Sequence, residues 1–383
     1  MLKRALVVIG ATLLCACDTT DTTQTKSLTD KQITKLIPKR VDGRASWAAD
    51  IAKIFDELKI PKSTQNICTA IAVIDQESNF DADPRVPNLG NASLKAIDEK
   101  LEAKFGKTLA KTFRTMLETK PTKDDSFIKQ IKQVKTEREL DELYQKIFDY
   151  FASTYKVSGL AHITKLTGEG IDERINPIST LGSMQVHIDY ARAHRRSNMS
   201  DRTLRADLYS QYGGLYYGIH RLMVYQADYD KPLYRFADYN SGMYSSRNAA
   251  FQQRISSLSK QKIDIDGDLL LYDGGSPLSK KSQTETVLIK LLATAPTPVS
   301  ERQIRSDLKK EKTKSFENTQ SYRAVSEMFK KKYGRDPSYA IMPQVIISGP
   351  KLSRDYNTNW FATRVDKRYQ TCMATAKQHK IKI

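Results

Sequence analysis

The chain has 383 residues, with 62 Lys+Arg against 44 Asp+Glu and a formal net charge of +18. That length can bury a full core and is compatible with two domains or with one large domain carrying insertions. So basic a balance favours anionic partners, among them nucleic acid, lipid headgroups, lipopolysaccharide phosphates and the carboxylates of peptidoglycan stem peptides.

The N-terminus narrows that choice. Lys3 and Arg4 precede an apolar run over residues 5–14, long enough for the core of a signal peptide and too short to span a bilayer as a stable helix. This export signal argues against nucleic acid. The run ends in Leu14-Cys15-Ala16-Cys17, which resembles the bacterial lipobox. Residues 1–17 are therefore read as a lipoprotein signal peptide with lipidation at Cys17, and residues 18–28 as a polar tether. A plain secretory leader is the alternative. Cleavage removes Lys3 and Arg4 and lowers the charge from +18 to +16. Asp18 is an inner-membrane retention signal in enterobacteria, which leaves the membrane open. The mature chain keeps Cys68 and Cys372. In an oxidising compartment these are expected to form one disulfide, tying the C-terminal helix to the helix that ends at Glu77; two buried free thiols are the alternative.

From Thr29 onward the pattern is helical. Ser46 is expected to cap a helix through Trp47, Ile51, Ile54, Phe55 and Leu58 that Pro61 stops, and Ser63 to cap the next. In that next helix Ile67, Ala70, Ile71 and Ile74 recur at i, i+3, i+4 and i+7, which puts one face in a core. Glu77 stands at its exit. A carboxyl group at the rim of an apolar core is poorly solvated, so its pKa rises towards values useful for proton donation; a solvated helix end is the alternative. Residues 81–90, with Pro84, Pro87 and Gly90, read as a loop.

Charged helices follow over residues 93–106, 108–119, 126–134 and 137–155, the last with Leu140, Leu143, Ile147 and Phe151 at helical spacing. This block is read as an insertion or subdomain, closed by the Gly168/Gly170 loop and Asn176-Pro177. A helical segment around Gly213-Gly214-Leu215-Tyr216-Tyr217-Gly218 comes next, then a helix over residues 246–258. Asp264-Ile265-Asp266-Gly267-Asp268 reads as a turn into a short strand. A calcium loop fits less well, because Leu269 stands where an EF-hand needs Gly and Gly275 where it needs Glu. Helices over residues 283–294, 301–312, 319–333 and 357–377 complete the chain.

Three short stretches carry the chemistry. Glu77-Ser78, Gly182-x-Met184-Gln185 and Ala237-x-Tyr239-Asn240-x-Gly242 resemble the three signature motifs of the lysozyme-like lytic transglycosylases, in the family's order. The segment at residues 213–222 also resembles the Gly-x-x-Tyr-Leu helix of that family. The resemblance implies a single Glu that protonates the glycosidic oxygen between N-acetylmuramic acid and N-acetylglucosamine and then, as carboxylate, takes the proton of the muramoyl 6-hydroxyl as that oxygen closes onto C1. No second carboxylate is needed, unlike in hydrolases with a pair about 5–9.5 Å apart. By this resemblance Glu77 is the acid/base, Tyr239 orients it, Ser78, Gln185 and Asn240 hold substrate or backbone groups, and Met184 is a wall. A helix–helix turn with a capping Asn is the alternative for Tyr239 and Asn240. Glu77 and Gln185 lie 108 positions apart, wider than in compact transglycosylases, with the charged helical block between them. That block either completes a groove or covers one.

A second resemblance spans residues 47–373. The runs Gln76-Glu77-Ser78-Asn79, Met184-Gln185-Val186, Tyr234-Arg235-Phe236-Ala237-Asp238, Ser246-Arg247-Asn248-Ala249-Ala250-Phe251-Gln252 and Trp360-Phe361-Ala362-Thr363-Arg364-Val365-Asp366 resemble the YaiW-like lipoproteins. That family has a domain of unknown function and is associated with the outer membrane of Gram-negative bacteria.

The expected protein is mainly α, with a lysozyme-like core in two parts (residues 29–90 and 176–262), a helical insertion at 91–175 and a mostly helical extension at 263–383. The expected function is an envelope lipoprotein, most simply of the outer membrane, that binds peptidoglycan and cleaves it as a lytic transglycosylase without metal or cofactor. The alternative is a non-catalytic lipoprotein that binds glycan, lipopolysaccharide or an envelope protein.

Overall fold

The computed structural model describes residues 27–155, 176, 178–273, 275–347 and 356–382. The leader, Cys17, most of the tether and the Gly168/Gly170 loop lie outside the described residues. The fold is mainly helical, with three two-stranded antiparallel pairs among the described residues.

The chain enters through α1 (Asp30–Leu36), whose N-terminus is closed by a Thr29/Gln32 capping box. Helix α2 (Arg44–Glu57) begins earlier than its expected Ser46 cap, because Gly43 takes a left-handed conformation (φ 63°) and reverses the chain there. Ser46 thus lies in the first turn and accepts a hydrogen bond from Gln211 at 3.1 Å.

Helix α3 (Thr64–Glu77) is capped by Ser63, which accepts from the Asn66 amide at 3.2 Å. The expected one-sided burial understates its position. Every residue from Ile67 to Asp75 is buried, so the helix runs through the centre of the core rather than along its edge. It is packed lengthwise by the final helix α15 (Thr358–Gln378), with α1 and α9 (Gln211–Met223) beside it. The Cys68–Cys372 disulfide joins α3 to α15 with a Cα separation of 5.5 Å.

The charged block is α4 (Leu89–Thr119), α5 (Phe127–Gln133) and α6 (Glu137–Tyr155). Gly106 breaks α4 in two (φ 74°, ψ 164°), close to the expected break. Gly90 is helical rather than in the preceding loop. The inward sides of these helices, including Ile97, Leu101, Leu140 and Phe151, belong to the same apolar cluster as α3. A buried ion pair between Asp141 and Arg205, 2.6 Å, ties α6 to α8 (Asp201–Leu208).

A second apolar cluster is built from α11 (Ser245–Ser259), α12 (Gln283–Ala293), α13 (Glu301–Leu308) and α14 (Gln320–Tyr333). The joint between the clusters is polar. Asp238 of α10 (Pro232–Ser241) accepts hydrogen bonds from the amides of Tyr244 and Ser246, the Ser245 hydroxyl and the Tyr229 and Tyr225 hydroxyls, so a neighbouring carboxylate caps α11. Arg247, fully buried, donates to the carbonyls of Glu311 and Thr313 and to Glu317. The residue 264–268 turn is closed by the Asp266 side chain, which accepts from the Asp268 amide at 3.0 Å.

Candidate functional site

Glu77 is the last residue of α3. Behind it the chain turns sharply, with Asn79 (φ 53°) and Phe80 (φ 63°) both left-handed. Neither is glycine, so the turn is strained and must be held by its surroundings. Phe80 is held by an edge-to-face contact with Trp47 at 5.3 Å, and Ser78 is buried, its hydroxyl donating back to the Ile74 carbonyl at 3.3 Å.

The Glu77 side chain is neither sealed in nor free. It is partly exposed and makes no hydrogen bond among the described residues. Burial against the core pushes its pKa from 4.5 up to about 7, and the positive charge of Arg221 opposes that shift. A carboxyl group held near neutrality exchanges its proton readily at physiological pH. Arg221 comes from the last turn of α9, and its guanidinium lies over the Tyr239 ring at 4.7 Å.

The second motif forms the tip of a hairpin between β1 (Thr180–Leu181) and β2 (Val186–His187). The turn needs glycine at 182, where φ is 76° and a side chain would strike the Leu208 carbonyl. Met184 is fully buried against α9, where Gly218 leaves room for its side chain. Gly214 and Gly218 of α9 thus make room for the hairpin that lies on it, while Gly213 makes room for Asp207.

Tyr239 is buried in α10, and its hydroxyl donates to the Met184 carbonyl at 2.6 Å. The expected role of orienting Glu77 is therefore not met by a hydrogen bond from this hydroxyl. Tyr239 and Glu77 are neighbours electrostatically: burial pushes the phenol upward, Arg221 opposes that, and the Glu77 carboxylate adds to it. Asn240 is partly exposed and its amide makes no hydrogen bond among the described residues. Gln185 accepts from Thr180 at 3.0 Å and donates to Glu137 at 3.2 Å, so the start of α6 is fastened to the second motif. Asp75, two residues before Glu77, is turned away and paired with Arg40 and with Arg368 at 3.1 Å.

Sequence reasoning missed Arg221 and an aromatic cluster near it. Tyr190 and His220 share a hydrogen bond of 2.7 Å, His194 donates from Nδ1 to the Tyr190 carbonyl at 2.8 Å, and the Tyr190 and His194 rings stack at 4.2 Å. Burial, helped by His194, lowers the His220 pKa to about 4, so that ring is neutral at pH 7. Only the position of Arg221 and His220 in the Gly-rich helix could have flagged them.

A family model described as "Protein of unknown function (DUF1615)" matches residues 40–375. The protein described as "Uncharacterized protein YaiW" of Escherichia coli (strain K12) is 34% identical over 339 residues, which cover 88% of this chain and 87% of that protein. No solved structure matches the chain. Matched over most of its length by the family model, with all three motif segments inside the match, this chain belongs to the DUF1615 family.

Proposed function

We propose that this protein is an envelope lipoprotein with a lysozyme-like helical core that binds peptidoglycan and cleaves it as a lytic transglycosylase through Glu77. The observation that carries the reading is the state of Glu77: a partly accessible carboxyl at the end of a central helix, near neutrality in pKa and facing the charge of Arg221.

Each step conserves atoms and charge. Protonated Glu77 donates to the glycosidic oxygen of the N-acetylmuramic acid to N-acetylglucosamine bond as the C1–O bond breaks. The resulting carboxylate takes the proton of the muramoyl 6-hydroxyl while O6 bonds to C1, which regenerates the acid. Arg221 stabilises the carboxylate between the two steps. Tyr239, fixed by its bond to the Met184 carbonyl, is the neighbouring wall, with Asn240 as the polar group free to meet a sugar. An N-terminal lipid on Cys17 would hold this site beside the substrate. In the test, protein lacking residues 1–17 is incubated with sacculi and the soluble products are examined for 1,6-anhydromuropeptides. Their release by wild type and loss in Glu77→Gln supports the reading; an inactive wild type, or a variant equal to wild type, defeats it.

One observation favours the alternative of a non-catalytic binding protein. The Gln185 amide is tied to Glu137 of the charged block, which supports a groove in which this side chain is structural. Sacculus binding that is salt-sensitive and releases no product would select that reading.

A further inference from the structure

Asp75 and Glu77 are separated by two residues, about 200° around the helix, so they address opposite sides of α3. On the Asp75 side lies a cleft of about 560 Å³ between the end of α1, the loop after it and α15. Its lining includes Lys35, Lys39, Arg40, Lys367 and Arg368, and Asp75 is its only acidic residue among the described residues. Arg40 and Arg368 both reach the buried Asp75 carboxylate, which fixes two guanidinium groups in place without neutralising the cleft. Lys35, Lys39 and Lys367 are exposed and make no ion pair among the described residues. Five cations less one carboxylate leave +4. The C-terminal carbonyls of α1 and α15 offset about half a charge each, leaving about +3.

We propose that this cleft is a binding site for a phosphate-bearing anion. A single carboxylate leaves most of this charge unbalanced, whereas a phosphomonoester or pyrophosphate group supplies two or more negative charges and several acceptor oxygens. Planar guanidinium groups bind such oxygens in pairs, and lysine ammonium groups close around them as point charges. The Cys68–Cys372 disulfide lies at the base, with Cys372 in the lining, and holds α15 in register with Asp75. The phosphate can come from a soluble compound or from a lipid headgroup, and the chemistry of the cleft is the same for both.

The test uses the mature polypeptide from Asp18, without its lipid, titrated with inorganic pyrophosphate and with phosphatidylcholine vesicles with or without phosphatidic acid, a lipid phosphomonoester. Lys39→Gln/Lys367→Gln removes two exposed charges that support no ion pair in the fold. Lys309→Gln/Lys310→Gln removes the same charge from the second core. The expected result is saturable binding whose Kd rises at least about tenfold in the cleft variant and stays at the wild-type value in the control. That change corresponds to about 1.4 kcal/mol. Pyrophosphate binding assigns a soluble phosphate; binding only to phosphatidic acid vesicles, lost in the cleft variant, assigns a headgroup. Binding of neither probe, or equal loss in both double variants, overturns the proposal. Glu77→Gln must leave the affinity unchanged, so this site and the glycan reading fail separately.

Discussion

The Tyr239 hydroxyl donates to the Met184 carbonyl at 2.6 Å, and this bond joins the third motif to the second. Both partners are buried, so the bond is shielded from water, and the hairpin tip is pinned from the α10 side as Gly218 admits it from the α9 side. Tyr239→Phe removes the donor and leaves a buried carbonyl without its partner, which costs about 1–3 kcal/mol. Urea denaturation should show a lowered midpoint with an unchanged slope, and the product release proposed for sacculi should fall with it.

Glu77 has a signed pH dependence. Its folded pKa of about 7 exceeds the ordinary 4.5, so the folded state holds an extra proton between those values. Its contribution to stability is full below pH 4.5 and is lost as pH rises to 7, by at most about 3 kcal/mol because part of the side chain is accessible. His220 acts in the opposite sense: with its pKa lowered from 6.5 to about 4, stability is lost as pH falls through that window. The two slopes oppose each other in wild type. The Glu77→Gln variant should therefore gain stability relative to wild type between pH 4.5 and 7. The proposed transglycosylase activity should decline above about pH 7 as the acid ionises.

Gly218→Ala places a methyl group against the Met184 side chain near its root, where rotation cannot relieve the clash. The overpacking should cost about 1–3 kcal/mol. Thermal unfolding of the variant against wild type measures it, and a Tm equal to wild type would contradict the packing of the hairpin on α9.

The disulfide spans 304 positions, which makes its constraint on the unfolded chain large. Cys68→Ser/Cys372→Ser should lose about 2–5 kcal/mol. Denaturation with and without reductant should then separate wild type into two curves and leave the variant with one. Coincident wild-type curves would count against a formed bond.

Much of the architecture was legible along the chain because it depends on neighbours in sequence. Ser63 caps α3 and Gly106 interrupts α4, since caps and breaks follow from backbone groups a few residues apart. The runs Tyr234-Arg235-Phe236-Ala237-Asp238 and Ser246-Arg247-Asn248 stood out as family-specific without any reason attached. The reason is the joint between the two apolar clusters, where Asp238 caps α11 and Arg247 is enclosed among carbonyls.

The amino-acid sequence by itself determined the helical class, Glu77 at the end of an apolar helix, and the cysteine pair available to brace it. It did so because helical periodicity, capping and composition are local properties. Only the tertiary structure decided that Arg221 faces Glu77, that Tyr239 bonds Met184, that Glu137 holds Gln185, and that Asp75 organises two arginines on the opposite side. Each of those relationships joins segments brought together by burial of apolar surface, and no spacing rule along one helix specifies which distant side chain arrives there.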